Sequence, residues 1–120
     1  LIAYSGMVKV AEEAAEMFYK NNISAEVIDL RTLSPLDLET LVNSVKKTSR
    51  AVVIEETWKT GGFSGSIASD LQEAAFDYLD GPVLRINGPD VPAPYAKNLE
   101  QLMIPKASWI FDQVKYNFGL

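Results

Sequence analysis

A chain of 120 residues with 48% hydrophobic and 22% charged side chains has the make-up of one globular domain, able to bury a core without disulfides. Sixteen acidic against eleven basic residues leave a formal charge of −5, which argues against a nucleic-acid partner, since that would need a basic face to displace counterions. Cysteine and histidine are both absent, which excludes thiolate and His-based metal sites, a Ser-His-Asp triad and a Cys-His pair within this chain.

The first β-rich segment is residues 1–4, after which Ser5-Gly6 offers a turn and a helix N-cap. Val8, Ala11, Ala15 and Phe18 follow as the stripe of an amphipathic helix that Asn21-Asn22 ends. Residues 25–30 read as a second strand. In "TLSPLDLETL", Ser34 is placed as N-cap, Pro35 at the first helical position and Asp37 in the first turn, where a negative charge meets the helix dipole. Leu38, Leu41, Val42 and Val45 form the buried stripe of that helix, and Lys46 and Lys47 sit at its cation-favouring end.

Residues 51–54 are continuously apolar, as expected of a strand covered on both faces. The segment from Glu55 to Trp58 reads as a loop, and a helix follows over residues 63–78 until Asp80-Gly81-Pro82 breaks it. Residues 83–86 make a fourth strand, "NGPDVPAPY" a proline-rich loop, and residues 96–103 and 108–118 two further helices. This alternation predicts an α/β fold of three layers, α/β/α, around a mostly parallel sheet. Right-handed crossovers and short connections favour strand order 2-1-3-4, with a switch point between the first and third strands. No apolar run reaches the roughly twenty residues needed to span a bilayer. Leu1 opens into a strand without a basic leader, so no signal peptide is expected, and the start without Met suggests a piece cut from a longer polypeptide.

The default ligand site of such a sheet is the crevice at the switch point, where Ser5-Gly6 and residues 55–58 would meet. A phosphate cradle fits poorly there. "YSGMVKV" is not GxGxxG, "GGFSGSI" lacks the Lys-Ser/Thr of a P-loop, and Glu55 and Glu56 would repel the ligand. The two carboxylates could be a general acid/base pair only if one were buried with a raised pKa. Adjacent strand residues face opposite ways, so a polar rim, with Lys59 neutralising one of them, is the favoured reading. Gly62, Gly65, Ser66 and Ser69 instead line one face of the following helix, opposite a packing face of Phe63, Ile67, Leu71, Ala74 and Tyr78. So bare a stripe would let a second subunit approach closely, the favoured reading over small residues merely tolerated at a solvent-facing surface. Asp29 and Arg31 form an expected internal ion pair, and Trp58 and Trp109 read equally as interface anchors or core. The proline-rich loop is either a clamp over the sheet end or a docking loop, and Phe118 and Leu120 are a possible hook for a partner.

Three stretches, "SAEVIDLRTLSPLDLETLVNSVKKTSRAVVIEE", "GGFSGSIASDLQEAAFDYLDGPVLRINGPDVPAPYAKNLE" and the closing Ile104-Pro105, resemble one family along the whole chain. It is the C-terminal domain of the β-subunit of thiamin-diphosphate-dependent 2-oxoacid dehydrogenases, with a transketolase C-terminal-like fold. Within that family "DVPAPYAKNLE" is most similar to pyruvate dehydrogenase members; a branched-chain or transketolase-like enzyme is the alternative. A stand-alone doubly wound nucleotide- or metabolite-binding domain is the alternative of another class.

The resemblance implies that residues 1–120 are one domain of a longer β-subunit, lacking the N-terminal pyrimidine-binding domain and an antiparallel edge strand. It implies a complete enzyme that uses thiamin diphosphate and Mg, with catalytic and cofactor residues outside this chain and no cofactor on these residues. It implies assembly with an α-subunit and a β′ copy, the latter through Gly62, Gly65, Ser66 and Ser69. It also implies docking of the basic peripheral subunit-binding domain of the acyltransferase core at Asp80 and Leu120. The corresponding compartment is the cytoplasm in bacteria, or the mitochondrial matrix or plastid in eukaryotes.

Overall fold

The apolar run that begins at Ala51 carries the sheet. In the computed structural model, which describes residues 1–120, it opens β3 (Val52–Trp58), flanked by β1 (Ile2–Ala3) and β4 (Leu84–Gly88). Outside β1 lies β2 (Ile28–Asp29), so the order is 2-1-3-4, as expected, and every pair is parallel. Ile2 stands between Ile28 and Val53, and Ile54 pairs with Ile86.

Alternation along these strands sorts the core into two layers. Ala3, Val52, Ile54 and Ile86 face α1 (Met7–Lys20) and α5 (Ala107–Phe118), where Phe18 and Phe111 meet with ring centroids 4.9 Å apart. Ile2, Ala51 and Val53 face α2 (Leu38–Thr48) and α3 (Phe63–Ala75), against Leu41, Val45, Ile67 and Leu71. A single turn, α4 (Lys97–Glu100), follows the proline-rich loop.

Several local expectations shift. The buried stripe of α1 is Met7, Ala11, Ala14 and Phe18, one position off Val8 and Ala15, which lie at its margin. The first two strands are shorter than the β-prone segments that contain them. Ser34 does not cap α2. Asp37 does, its carboxylate accepting from the Thr40 amide at 3.2 Å and the Thr40 hydroxyl at 2.7 Å, while Pro35 lies in the turn before the helix. The packing face of α3 is Ser64, Ile67, Leu71 and Ala75, whereas Phe63, Ala74 and Tyr78 are exposed. The predicted end at Tyr78 is reached through a 3-10 turn, Phe76–Tyr78. Asp29 and Arg31 do pair within the chain as expected, at 2.9 Å, at the surface.

The largest difference is at residues 55–58. They are not a loop: β3 continues through Glu55, Glu56 and Thr57 to Trp58, which pairs with Gly88 beyond an irregularity in the ladder. The apolar count stops at Ile54, but the backbone pairing does not.

Candidate functional site

Glu55 continues the phase of Ala51 and Val53, so its side chain turns toward α3 just past the last apolar layer. Tyr4, two residues beyond Ile2, and Asn87, two beyond Arg85, carry the same phase on the neighbouring strands. The three side chains therefore converge just past the last apolar layer, beyond β1, midway along β3 and near the end of β4, beside the switch-point crevice.

There the Tyr4 hydroxyl donates to Glu55 Oε1, and Asn87 Nδ2 donates to Oε2 at 2.8 Å. The backbone amides of Phe63 and Ser64, the first residues of α3, donate at 3.0 and 3.1 Å. Glu55 is 2% exposed, whereas Glu56 is exposed. The two carboxylates diverge as expected, but the polar rim with Lys59 is overturned for Glu55, which is buried and bound by neutral donors.

Hydrogen bonds donated by two backbone amides, the Asn87 amide and the Tyr4 hydroxyl favour the ionised form of this carboxyl. Burial pushes its pKa up. The bonds from Tyr4 and from the Ser64 and Phe63 amides outweigh that and hold it below the usual carboxylate range. Burial first, then the bond to Glu55, raises the Tyr4 hydroxyl far above the ordinary tyrosine value. Neither group is tuned to exchange protons near neutrality. What the arrangement does is join α3 to three strands, with the positive end of the helix facing the buried anion.

The glycines are explained by the same contact. A Cβ on Gly62 would lie 2.4 Å from the Trp58 carbonyl and 2.5 Å from Glu55 Oε2, so only glycine lets the helix start close over the carboxylate. Strand, glycines and helix do make an anion cradle here; the anion is the chain's own Glu55. A diphosphate would need the amides that Glu55 already holds, and no group of three acidic, His or Cys side chains could hold a metal ion. These residues do not fit thiamin diphosphate with Mg.

Tyr4, Ser64 and Asn87 were not singled out from the sequence. The available signal was phase: a carboxylate in register with buried Val53, followed by a Gly-Gly helix start.

The other candidate residues lie apart from this centre. Ser66 and Ser69 are exposed on α3, with Phe76 exposed further along the same flank. Gly65 is half-buried, and the Arg85 guanidinium passes over it, 2.8 Å from where a Cβ would stand. Asp80 is exposed on a groove of about 460 Å³, and Leu120, 43% exposed, borders a cavity of about 150 Å³; Arg50 and Phe118 line both. Trp58 is half in solvent and Trp109 half-buried. The proline-rich loop is tied down by Asp90, which accepts from the Thr60 amide at 3.0 Å and its hydroxyl at 2.6 Å, as the clamp reading requires.

Comparison with known proteins adds a lineage to this geometry. The family described as transketolase, C-terminal domain, matches residues 1–110. A pyruvate dehydrogenase E1 component subunit beta from Rickettsia conorii is 50% identical over 96% of this chain, which spans 35% of that protein's length. The mitochondrial counterpart from Dictyostelium discoideum is 47% identical over 96% of the chain, which spans 32% of it. Among solved structures, a split gene transketolase described as an inactive beta4 tetramer superposes with a TM-score of 0.77 at 28% identity, covering 99% of this chain and 37% of that one.

Proposed function

Because the chain belongs to the transketolase C-terminal domain family, we propose that it is the assembly domain of a pyruvate dehydrogenase E1 β-subunit. In this reading the complete enzyme decarboxylates pyruvate on thiamin diphosphate and passes the acetyl group to a lipoyl arm. That chemistry lies in other segments, and residues 1–120 supply contacts to a β′ copy, to an α-subunit and to the acyltransferase core. The observation that carries the reading is the Glu55 centre. The crevice where a doubly wound domain would take a ligand is filled by a carboxylate, a tyrosine, an asparagine and a helix N-terminus of the same chain.

The β–β′ contact is assigned to the flank of α3 that carries Gly62, Gly65, Ser66 and Ser69. Gly62 and Gly65 already accommodate groups of their own chain, so Ser66 and Ser69, with exposed Phe76, are the residues a neighbour would meet. Core docking is assigned to Asp80 and Leu120, which border neighbouring concave spaces.

The test uses the full-length β-subunit containing this chain, co-expressed with its α-subunit. Ser66→Arg with Ser69→Arg should lower the assembly mass by light scattering to that of a particle with one β-subunit, while circular dichroism stays native. An unchanged mass would remove α3 from the contact. Asp80→Asn should weaken capture of the basic subunit-binding domain about two- to fivefold at low salt, an effect that fades as salt rises.

A further inference from the structure

β4 is an outer strand of the sheet. Its Leu84 amide donates to the Ala51 carbonyl at 3.0 Å, and Leu84 and Ile86 stand opposite Val52 and Ile54. Backbone groups of a parallel strand alternate between the neighbour and the outside, so the N–H and C=O of Arg85 point away from the sheet. Two concave spaces, of about 460 and 280 Å³, run along this edge and share Lys59 and Arg85. Their walls take in every residue from Asp80 to Asp90.

This strip concentrates positive charge in a chain whose net charge is −5. Arg50, Lys59 and Arg85 all line the larger groove, and none is ion-paired: the two salt bridges of the molecule are Arg31–Asp29 and Lys47–Glu26. Arg50 and Arg85 are half-buried and held in place. The Arg50 guanidinium lies 5.4 Å from the centre of the Phe118 ring, and Arg85 Nη1 reaches the Lys59 carbonyl at 3.4 Å. Of the two acids along the strip, Asp90 is engaged by Thr60 and feels the charge of Lys59, and Asp80 stands at the other end, beside Arg50 and Arg85.

We propose that the free edge of β4 receives an extended acidic segment of a partner polypeptide, added as a strand through the outward amide and carbonyl of Arg85, with its carboxylates set against Arg50, Lys59 and Arg85. Charged side chains on an edge also deter strand pairing. Here the deterrence is selective. A second copy of this edge would bring cations against cations, and a basic strand would meet the same repulsion, whereas alternating carboxylates would be drawn in.

The test is binding of the capped peptide Glu-Val-Glu-Val-Glu-Val to the ¹⁵N-labelled chain, followed by amide shifts and hydrogen exchange. The Arg85 amide should shift and exchange more slowly on saturation. Arg50→Glu should weaken binding at least about tenfold, as should N-methylation of alternate peptide bonds in the probe. Asp80→Asn should strengthen it, the opposite of its expected effect on a basic partner, so this groove and the proposed core contact can fail separately. Four results would each overturn the proposal: no perturbation at Arg85, equal binding of the N-methylated probe, equal binding of a Lys-Val peptide, or equal occupancy by inorganic phosphate.

Discussion

The carboxyl end of the sheet and the free edge of β4 treat charge in opposite ways. At the first, one buried anion is met by four donors of the same chain. At the second, three cations line open grooves and none of them forms an ion pair within the chain. Charge satisfied within the chain serves architecture, because removing it leaves buried partners unpaired. Charge left unsatisfied at a surface costs little to the fold and is available to something else.

That contrast sets the expected size of each perturbation. Glu55→Ala should cost the most, about 3 kcal/mol in urea unfolding, since it removes the shared acceptor of the Tyr4 hydroxyl, the Asn87 amide and two helix amides, the Ser64 amide and the Asn87 side chain being buried. A loss under about 0.5 kcal/mol, the range of an ordinary surface change, would demote the centre to a surface detail. Gly62→Ala should follow at about 2 kcal/mol, because its Cβ meets backbone and carboxylate oxygens that cannot withdraw. Gly6→Ala is the control: nothing lies within 4 Å of its Cβ and its φ is −60°, so it should be neutral.

The smallest effect concerns pH. The folded pKa of Glu55 lies below its unfolded value, near about 4.3, so the native state binds fewer protons in between. Its contribution is complete above that unfolded value and disappears as pH falls through the folded one. Glu55→Gln should therefore flatten the acid limb of a stability–pH curve relative to the parent chain. Parallel limbs would mean that other carboxylates, such as Glu26 beside Lys47 and Ser44, account for the slope.

The amino-acid sequence by itself determines whatever depends on neighbours along the chain. Apolar periodicity located the helices, the run at residues 51–54 marked the central strand, and crossover handedness ordered the sheet. The family lineage was legible too, in segments spread along the whole chain. Sequence and structure part where a local signal is out of step with its element: β3 outlasts its apolar residues, and the stripe of α1 begins at Met7, one residue before Val8.

Glu55 shows why the rest was hidden. Its partners lie 51, 32 and 9 residues away, at Tyr4, Asn87 and Ser64, and no window of sequence contains them together. Local spacing was enough to order the strands and helices, because turn chemistry and side-chain period act within a few residues. Whether a carboxylate at a strand end becomes a rim, a base or an internal anchor depends on burial and hydrogen bonding between distant segments. Those come into being when the sheet closes around it.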